Sequence, residues 1–528
     1  MCYDAGRSFY SGARFRAAGL ERVFPLLTKI TGILGGVLIA GLAVGTFAIG
    51  AKLGPDRATG ANLYKPHGNL VQLSSTTSVI PASYETKAKG TQVASAASGS
   101  DSSGLDDITA DGPGATFEQV YVLLKHNYVD GVPSDTRMAH GAAAAMVNSL
   151  SDPASRFLEQ SEVREMLSEQ KGIYHGIGAV TDIRLLKHVN SEKDSDYTEY
   201  RLTIVAPLAG SPAETAGLQA GDVITHINSH WIAGFDPGAA NAKKLRALEE
   251  SDPTAYDALV TSLQKQVDTS LTLQQAEARL DNVTLPPDPK LVDKNPADPP
   301  SDNVTLVVER PGVDKPMTFT VPITATTTVP AVSAKSLPGN VGYVHISQFN
   351  DSTTKAIDEA VSGFGNDLKG LIVDLRNAPG GDVDTAAEVD GKLSGAKFLG
   401  LVESKGKNIK QIAVKSNRVV NCPLAVIVNG GTANTAELLA ASLHDQGYKL
   451  VGEKTFGDAM EVAPVTLRDG AGFTMTVGQF FTLSHKPFDN IGLTPDVAVA
   501  PSGSADEQLN QALAALTGRV AAGPSIRG

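Results

Sequence analysis

Cysteine is almost absent from the 528-residue chain: Cys2 and Cys422 stand alone, with most of the sequence between them. That spacing excludes a disulfide framework and a zinc cage. Tryptophan occurs once, and there is no excess of positive charge. The 45 Lys and Arg face 57 Asp and Glu, a net charge of −12. Such a balance argues against a general nucleic-acid binder, which relies on clustered cations. Also missing are HExxH, the phosphate loop GxxxxGK followed by Ser or Thr, and a dinucleotide glycine fingerprint after a suitable strand. No metal or other cofactor is expected. His226 and His230 lie four apart, but on a strand and the turn after it, which is not the helix-face spacing of a metal pair.

Apolar residues make up 42% of the chain, enough to bury a sizeable core, and the length corresponds to three or four domains at roughly 150 residues each. Residues 30–51, ITGILGGVLIAGLAVGTFAIGA, carry no charge. A helix of that length crosses a hydrocarbon layer of about 30 Å. Ahead of it lie Arg7, Arg14, Arg16, Arg22 and Lys29 against Asp4 and Glu21, so the positive-inside bias puts residues 1–29 in the cytoplasm. A cleaved signal peptide is the alternative, but its apolar region spans only about 7–15 residues. The expectation is a single-pass anchor in the cytoplasmic membrane, with the bulk in a periplasm or other extracytoplasmic space. Residues 52–113 are rich in Ser, Thr, Ala and Gly without a sustained period and read as a flexible tether.

Ordered sequence resumes at 114–172, a helical module. Phe117, Val120, Tyr121, Leu124 and Tyr128 recur at helical spacing after a capping Thr116, and further helices are expected over 138–150 and 161–170. In 173–322, Gly176-Ile177-Gly178 makes a short loop whose N–H groups can face an anion. A strand over 198–208 follows, then a capped turn over 211–218 ended by Gly217, and a strand over Val223–Ile227. The run SPAETAGLQAGDVI resembles a PDZ domain of the bacterial protease type. The resemblance implies strand addition of an incoming chain end, with its carboxylate held by Gly176, Ile177 and Gly178. An insertion at about 237–303 falls where the second helix of such a domain should lie, beside the peptide groove. It contains a helical stretch over 239–280 and a proline-rich run.

Within 323–500, apolar runs such as VGYVHISQF, LKGLIVDLRNAPGGD and CPLAVIVNG alternate with helices, which reads as an α/β core. With residues 477–499 they resemble the carboxyl-terminal processing (tail-specific) proteases, the S41 serine peptidases. The expected fold is thus α/β and multidomain: transmembrane helix, helical module, PDZ domain with insertion, crotonase-like core, and a tail over 501–528. In that family a serine nucleophile stands fourth in Gly-Ser/Thr-Ala-Ser-Ala-Ser-Glu, where a strand gives way to a helix whose N–H groups favour developing negative charge. Here the motif is Gly431-Thr432-Ala433-Asn434-Thr435-Ala436-Glu437. The lysine base falls at Asp458 in Thr455-Phe456-Gly457-Asp458-Ala459, and the glutamine that orients it falls at Val462. The turn at Gly380 and Gly381, which helps form the oxyanion hole in the family, is intact.

A carboxamide is no nucleophile, and a carboxylate cannot act as a neutral amine. The sequence therefore points to a pseudoprotease that binds polypeptide C-termini. Two alternatives stand beside it. One is an active peptidase using relocated residues such as Thr432, Thr435 or Lys454; the other is a structural partner of an active S41 paralogue, or of a second copy of the chain.

Overall fold

The computed structural model describes residues 113–132, 134–188, 197–285, 302–500 and 506–516. The expected anchor over 30–51 and almost all of the tether lie outside these residues. Among the described residues no helix is long and apolar enough to cross a membrane.

The core is built on a six-stranded sheet. Its central strands, Gly370–Asp374 and Leu424–Val428, are buried at every position, because both faces are covered. They run parallel to each other and to Val341–Ile346, Lys449–Gly452 and the short Val497–Ala498, while Val332–Leu337 closes one edge antiparallel. Val373 and Val426 face the helices Val383–Ser394 and Thr435–Asp445 in the main cluster. The alternate residues Ile372, Ala425 and Ile427 pack on Leu509, Ala512 and Leu513 of the helix Glu507–Leu516. Residues 506–516 therefore belong to the core, a correction to the tail assigned to 501–528. Apolar positions on the opposite sheet face require that cover, and Arg376 fastens it by bonding both Asp374 and Asp506.

A second, antiparallel sheet joins Phe398–Ser404, Asn408–Ala413, Met460–Thr466 and Gly472–Phe481. Its far strand, Phe157–Leu158, comes from the helical module and pairs Phe157 with Phe473. The module is thus stitched to the core. His140 reinforces the seam between Glu159 (2.9 Å) and Asp469 (2.8 Å).

The module's helices are Pro113–Asn127, Asp135–Asn148 and Gln160–Glu169. The first begins before Thr116, which is inside the helix and does not cap it. Its apolar stripe is exposed, with Phe117, Val120 and Tyr128 about half accessible, so helical spacing reported the helix but not a buried face.

The PDZ sheet orders Ala179–His188, Tyr197–Pro207, Val223–Ile227, Asn303–Glu309 and Met317–Pro322, all antiparallel. The SPAETAGLQAGD run does what its residues dictate. Ser211 caps Pro212–Ala216 by accepting from the Glu214 N–H (3.1 Å), and Gly217 ends the turn at φ 86°. Asp222 is fully buried and paired with Arg310 at 2.7 Å. Entry and exit strands, Ile173–His175 and Thr326–Thr328, pair as a two-stranded ribbon. The insertion is not one helix but Pro237–Ala240, Ala242–Ser251, Pro253–Asp268 and Leu273–Leu280. Asp252 before Pro253 and Thr272 before Leu273 act as caps that restart the chain. Leu271, Ala276 and Leu280 belong to the PDZ core cluster, so the last helix is part of the domain itself.

Candidate functional site

The strand Leu424–Val428 ends at a tight loop in which Asn429 takes N–H bonds from Gly431 and Asn377, and the Thr432 hydroxyl donates to the Leu375 carbonyl (2.8 Å). The chain then turns at Asn434, with φ 50° and ψ −121°, into the helix Thr435–Asp445. A non-glycine residue at positive φ costs on the order of 1–3 kcal/mol and is kept where the surroundings enforce it. This is the strained elbow expected of a nucleophile, occupied by a carboxamide.

The two substituted positions still meet. Asn434 Nδ2 donates to Asp458 Oδ2 at 2.9 Å and to the Met460 carbonyl at 2.8 Å. Asp458 Oδ1 accepts from the Met460 N–H at 3.0 Å. Burial pushes the Asp458 carboxyl up to about 6, and nearby Asp182 adds to the effect. Val462 sits beside a register shift in its strand, half exposed, and offers no polar atom.

Glu437, the last residue of the motif, holds the site together. Its fully buried carboxylate accepts from the Thr455 hydroxyl, the Gly457 N–H (2.8 Å), the Asp458 N–H (2.8 Å) and the Asn434 N–H (3.2 Å). Burial pushes it up to about 8 against the pull of those donors. In the sequence Glu437 stands out only as the end of the motif; a glutamate in the first turn of a largely apolar helix is the signal for this role.

The Gly380 and Gly381 turn lies against the elbow. A Cβ on Gly380 would stand 2.9 Å from that of Asn434, and φ is 111° and 136° at the two glycines. Phe349 bonds the Gly380 carbonyl and the Asp382 N–H, and no partner takes the N–H of Gly380 or Gly381 among the described residues. Oxyanion-type donors are therefore present beside a missing nucleophile.

Among the described residues no other hydroxyl stands in for the serine. Thr435 is buried and donates to the Gly381 carbonyl at 3.3 Å, Thr432 is bonded as above, and Lys454 is exposed. Ser442 is bonded to the buried Asp390. Outside the sequence reading altogether was Arg184, on the PDZ strand Ala179–His188. It reaches the same loop, donating to the Phe456 (2.7 Å) and Gly457 (3.0 Å) carbonyls and stacking 3.7 Å from the Phe456 ring centre. No local pattern marks a contact between residues so distant in sequence.

The second site is the PDZ loop. Gly176 and Gly178 take φ 71° and 68° around a fully buried Ile177. Gly178 packs on Ser211, and Gly176 packs on the helix Leu273–Leu280, where a Cβ would stand 1.9 Å from the Leu280 carbonyl oxygen. That carbonyl accepts the Ile177 N–H at 2.9 Å. His226 and His230 bond separately, to the Thr225 hydroxyl and the Thr269 carbonyl.

An α/β core with a strained strand-to-helix elbow against a glycine turn, preceded by a small antiparallel β-domain, defines the class. Residues 340–499 match peptidase family S41, and residues 203–236 match a PDZ domain. A carboxyl-terminal-processing protease of Synechocystis is 29% identical over 418 residues, covering 76% of this chain and 82% of that one. The carboxy-terminal processing protease CtpA of Bacillus subtilis is 26% identical over 401 residues, covering 74% and 69%. A solved photosystem II D1 C-terminal processing protease is 24% identical, with 74% and 90% covered and a TM-score of 0.46. Residues 340–499 are thus similar to S41 peptidases and residues 203–236 to a PDZ domain, and Asn434 and Asp458 stand where the family's dyad would be.

Proposed function

We propose that this protein is a pseudoprotease, which binds polypeptide C-termini through its PDZ domain and does not cut them. One observation carries the reading: the two dyad positions remain in hydrogen-bond contact, but as the amide of Asn434 and the carboxylate of Asp458. Neither group can be the attacking alkoxide or its neutral amine base. Removing the nucleophile alone from a serine protease costs about a millionfold in rate. The carboxylate at 458 also opposes an oxyanion forming nearby. The test is incubation of the full chain with unstructured proteins bearing apolar C-termini, read by mass spectrometry. Intact substrates are expected, and truncated tails would sink the reading.

We also infer a membrane anchor over 30–51 that leaves the bulk outside the cytoplasm, supported by the uncharged run and the basic residues before it. A reporter fused after residue 113 should be active outside the cytoplasm, and the intact protein should fractionate with membranes. A soluble form beginning near residue 52 would overturn it.

A further inference from the structure

The carboxylate loop and the helix beside it are in direct contact. The Leu280 carbonyl is one of those a helix leaves unsatisfied at its C-terminal, negative end, and here it takes the Ile177 N–H at 2.9 Å. A peptide carboxylate needs that same N–H, and the carbonyl oxygen must give it up before the carboxylate can take it. The helix Leu273–Leu280 is in turn held from behind by the N-terminal module. Arg156 pairs with Glu277, Gln274 donates to Glu162 at 2.8 Å, and the Ser161 hydroxyl donates to the Thr284 carbonyl at 3.0 Å.

We infer that the peptide loop is held shut by the chain itself: the Leu280 carbonyl occupies it, and the module clasps the helix in place through Arg156 and Gln274. This rests on the reading of Gly176, Ile177 and Gly178 as a C-terminal carboxylate site. Admitting a peptide then requires the helix to move away from Ile177, which breaks the contacts of Arg156 and Gln274. Peptide binding and release of the module become one event.

The clasp is rich in acid. Glu162, Glu165 and Glu169 face it from the module helix, with Arg156 and Glu159 ahead of them. Glu277, Arg279 and Asp281 come from the groove helix and its cap, and His175, Asp182 and Arg184 from the adjoining strands. His175 is paired with Glu165 at 2.7 Å, Glu159 with His140 at 2.9 Å, and Arg184 with Asp182 at 3.6 Å. Arg156 acts on Glu162, Glu169, Glu277 and Asp281 together. Burial raises all four carboxyls, Glu169 to about 7, with Glu165 adding to that rise. Carboxyls raised in the closed form hold it best when protonated. Closure is therefore fully favoured below the ordinary carboxylate range and weakens as pH rises towards about 7.

The experiment is a titration of the full chain with a labelled unstructured peptide ending in Ala-Leu-Val, as free acid and as amide. Affinity for the acid form should rise about tenfold between pH 5.5 and 7.5. Arg156→Gln should tighten binding at pH 7.5 by about tenfold, because it leaves the closed form with unpaired acid. Gln274→Ala, which disturbs no charge, should tighten it about threefold. Glu169→Gln imitates the protonated acid and should do the opposite, weakening binding at pH 7.5 and flattening the pH profile. If Arg156→Gln does not fold, Gln274→Ala and Glu169→Gln decide. Folded variants that prefer the acid form but keep wild-type affinity and pH profile would overturn the clasp alone. Equal binding of acid and amide by every form would overturn the carboxylate-site reading, and the clasp with it.

Discussion

The molecule has two glycine turns suited to an anion, and they have diverged in opposite ways. At Gly380 and Gly381 the N–H groups have no partner among the described residues, and the side chains beside them are Asn434 and Asp458, hydrogen-bonded to each other. At Gly176 to Gly178, proposed above as the carboxylate loop, the Ile177 N–H is already bonded to the Leu280 carbonyl. Backbone shape explains why both turns survive. Each glycine is pressed against a neighbour that a Cβ would strike: Asn434 and Phe349 at one turn, Leu280 and Ser211 at the other. An intact glycine turn therefore testifies to packing, whereas function must be judged from the groups the turn faces.

The sharpest way to break this contrast is to give the open turn its partners back. Asn434→Ser alone should stay inactive, since no neutral amine stands near it. Asn434→Ser with Asp458→Lys should acquire slow hydrolysis of a tail peptide, part of the roughly millionfold lost with the nucleophile, and Val462→Gln should help by orienting the lysine. Wild-type cleavage abolished by Thr435→Ala or Lys454→Ala would show instead that the dyad has moved.

A smaller effect tests what holds the substituted site in shape. Glu437→Ala should lower stability by about 3–5 kcal/mol, because it strands the donors of Thr455, Gly457 and Asp458. The urea midpoint reports it; a loss under about 1 kcal/mol would remove Glu437 from that role.

The same carboxylate sets a pH dependence. Glu437 is raised to about 8, and Asp390 and Asp458 to about 6, chiefly by burial. Folding therefore takes up protons at these groups. The stability they contribute is present below the ordinary carboxylate range and falls as pH rises through about 6 and then about 8. Denaturation midpoints should decline between about pH 5 and pH 8, and Glu437→Gln should flatten the upper part of that decline. A midpoint rising over that range would contradict the burial of these groups.

The gentlest comparison is between glycines. Gly380→Ala should cost about 2 kcal/mol through strain and its clash with Asn434. Gly363→Ala, at the last position of the helix Thr353–Gly363 with nothing within 4 Å, should be neutral or stabilising by up to about 1 kcal/mol. Similar losses at both positions would mean that close approach is not what keeps Gly380.

Much of this was legible in the sequence wherever local chemistry decides the outcome. The buried strands Gly370–Asp374 and Leu424–Val428, the Ser211 cap, the Gly217 stop and the departures at Asn434, Asp458 and Val462 can all be read from neighbouring residues. Contacts between distant segments could not be. Arg184 reaching Phe456, Leu280 filling the loop at Ile177, and Leu509 and Ala512 covering the back of the sheet depend on where the chain returns in space. The spacing at Phe117 and Val120 was read as a helix, which is present, but amphipathic spacing does not say whether the stripe has a partner.

The seam between module and core also fixes the order of assembly. Phe157 must find Phe473, and the Ala154 carbonyl receives the Thr474 hydroxyl from 320 positions away. At roughly 5–20 residues per second, ribosomal synthesis makes the early strand wait for tens of seconds before its mate exists. Meanwhile the whole PDZ domain is made and can close on its own cluster, because its entry and exit strands meet as a ribbon. The nascent protein thus carries an unmatched strand edge through most of its birth, and its last segments decide when the first become secure.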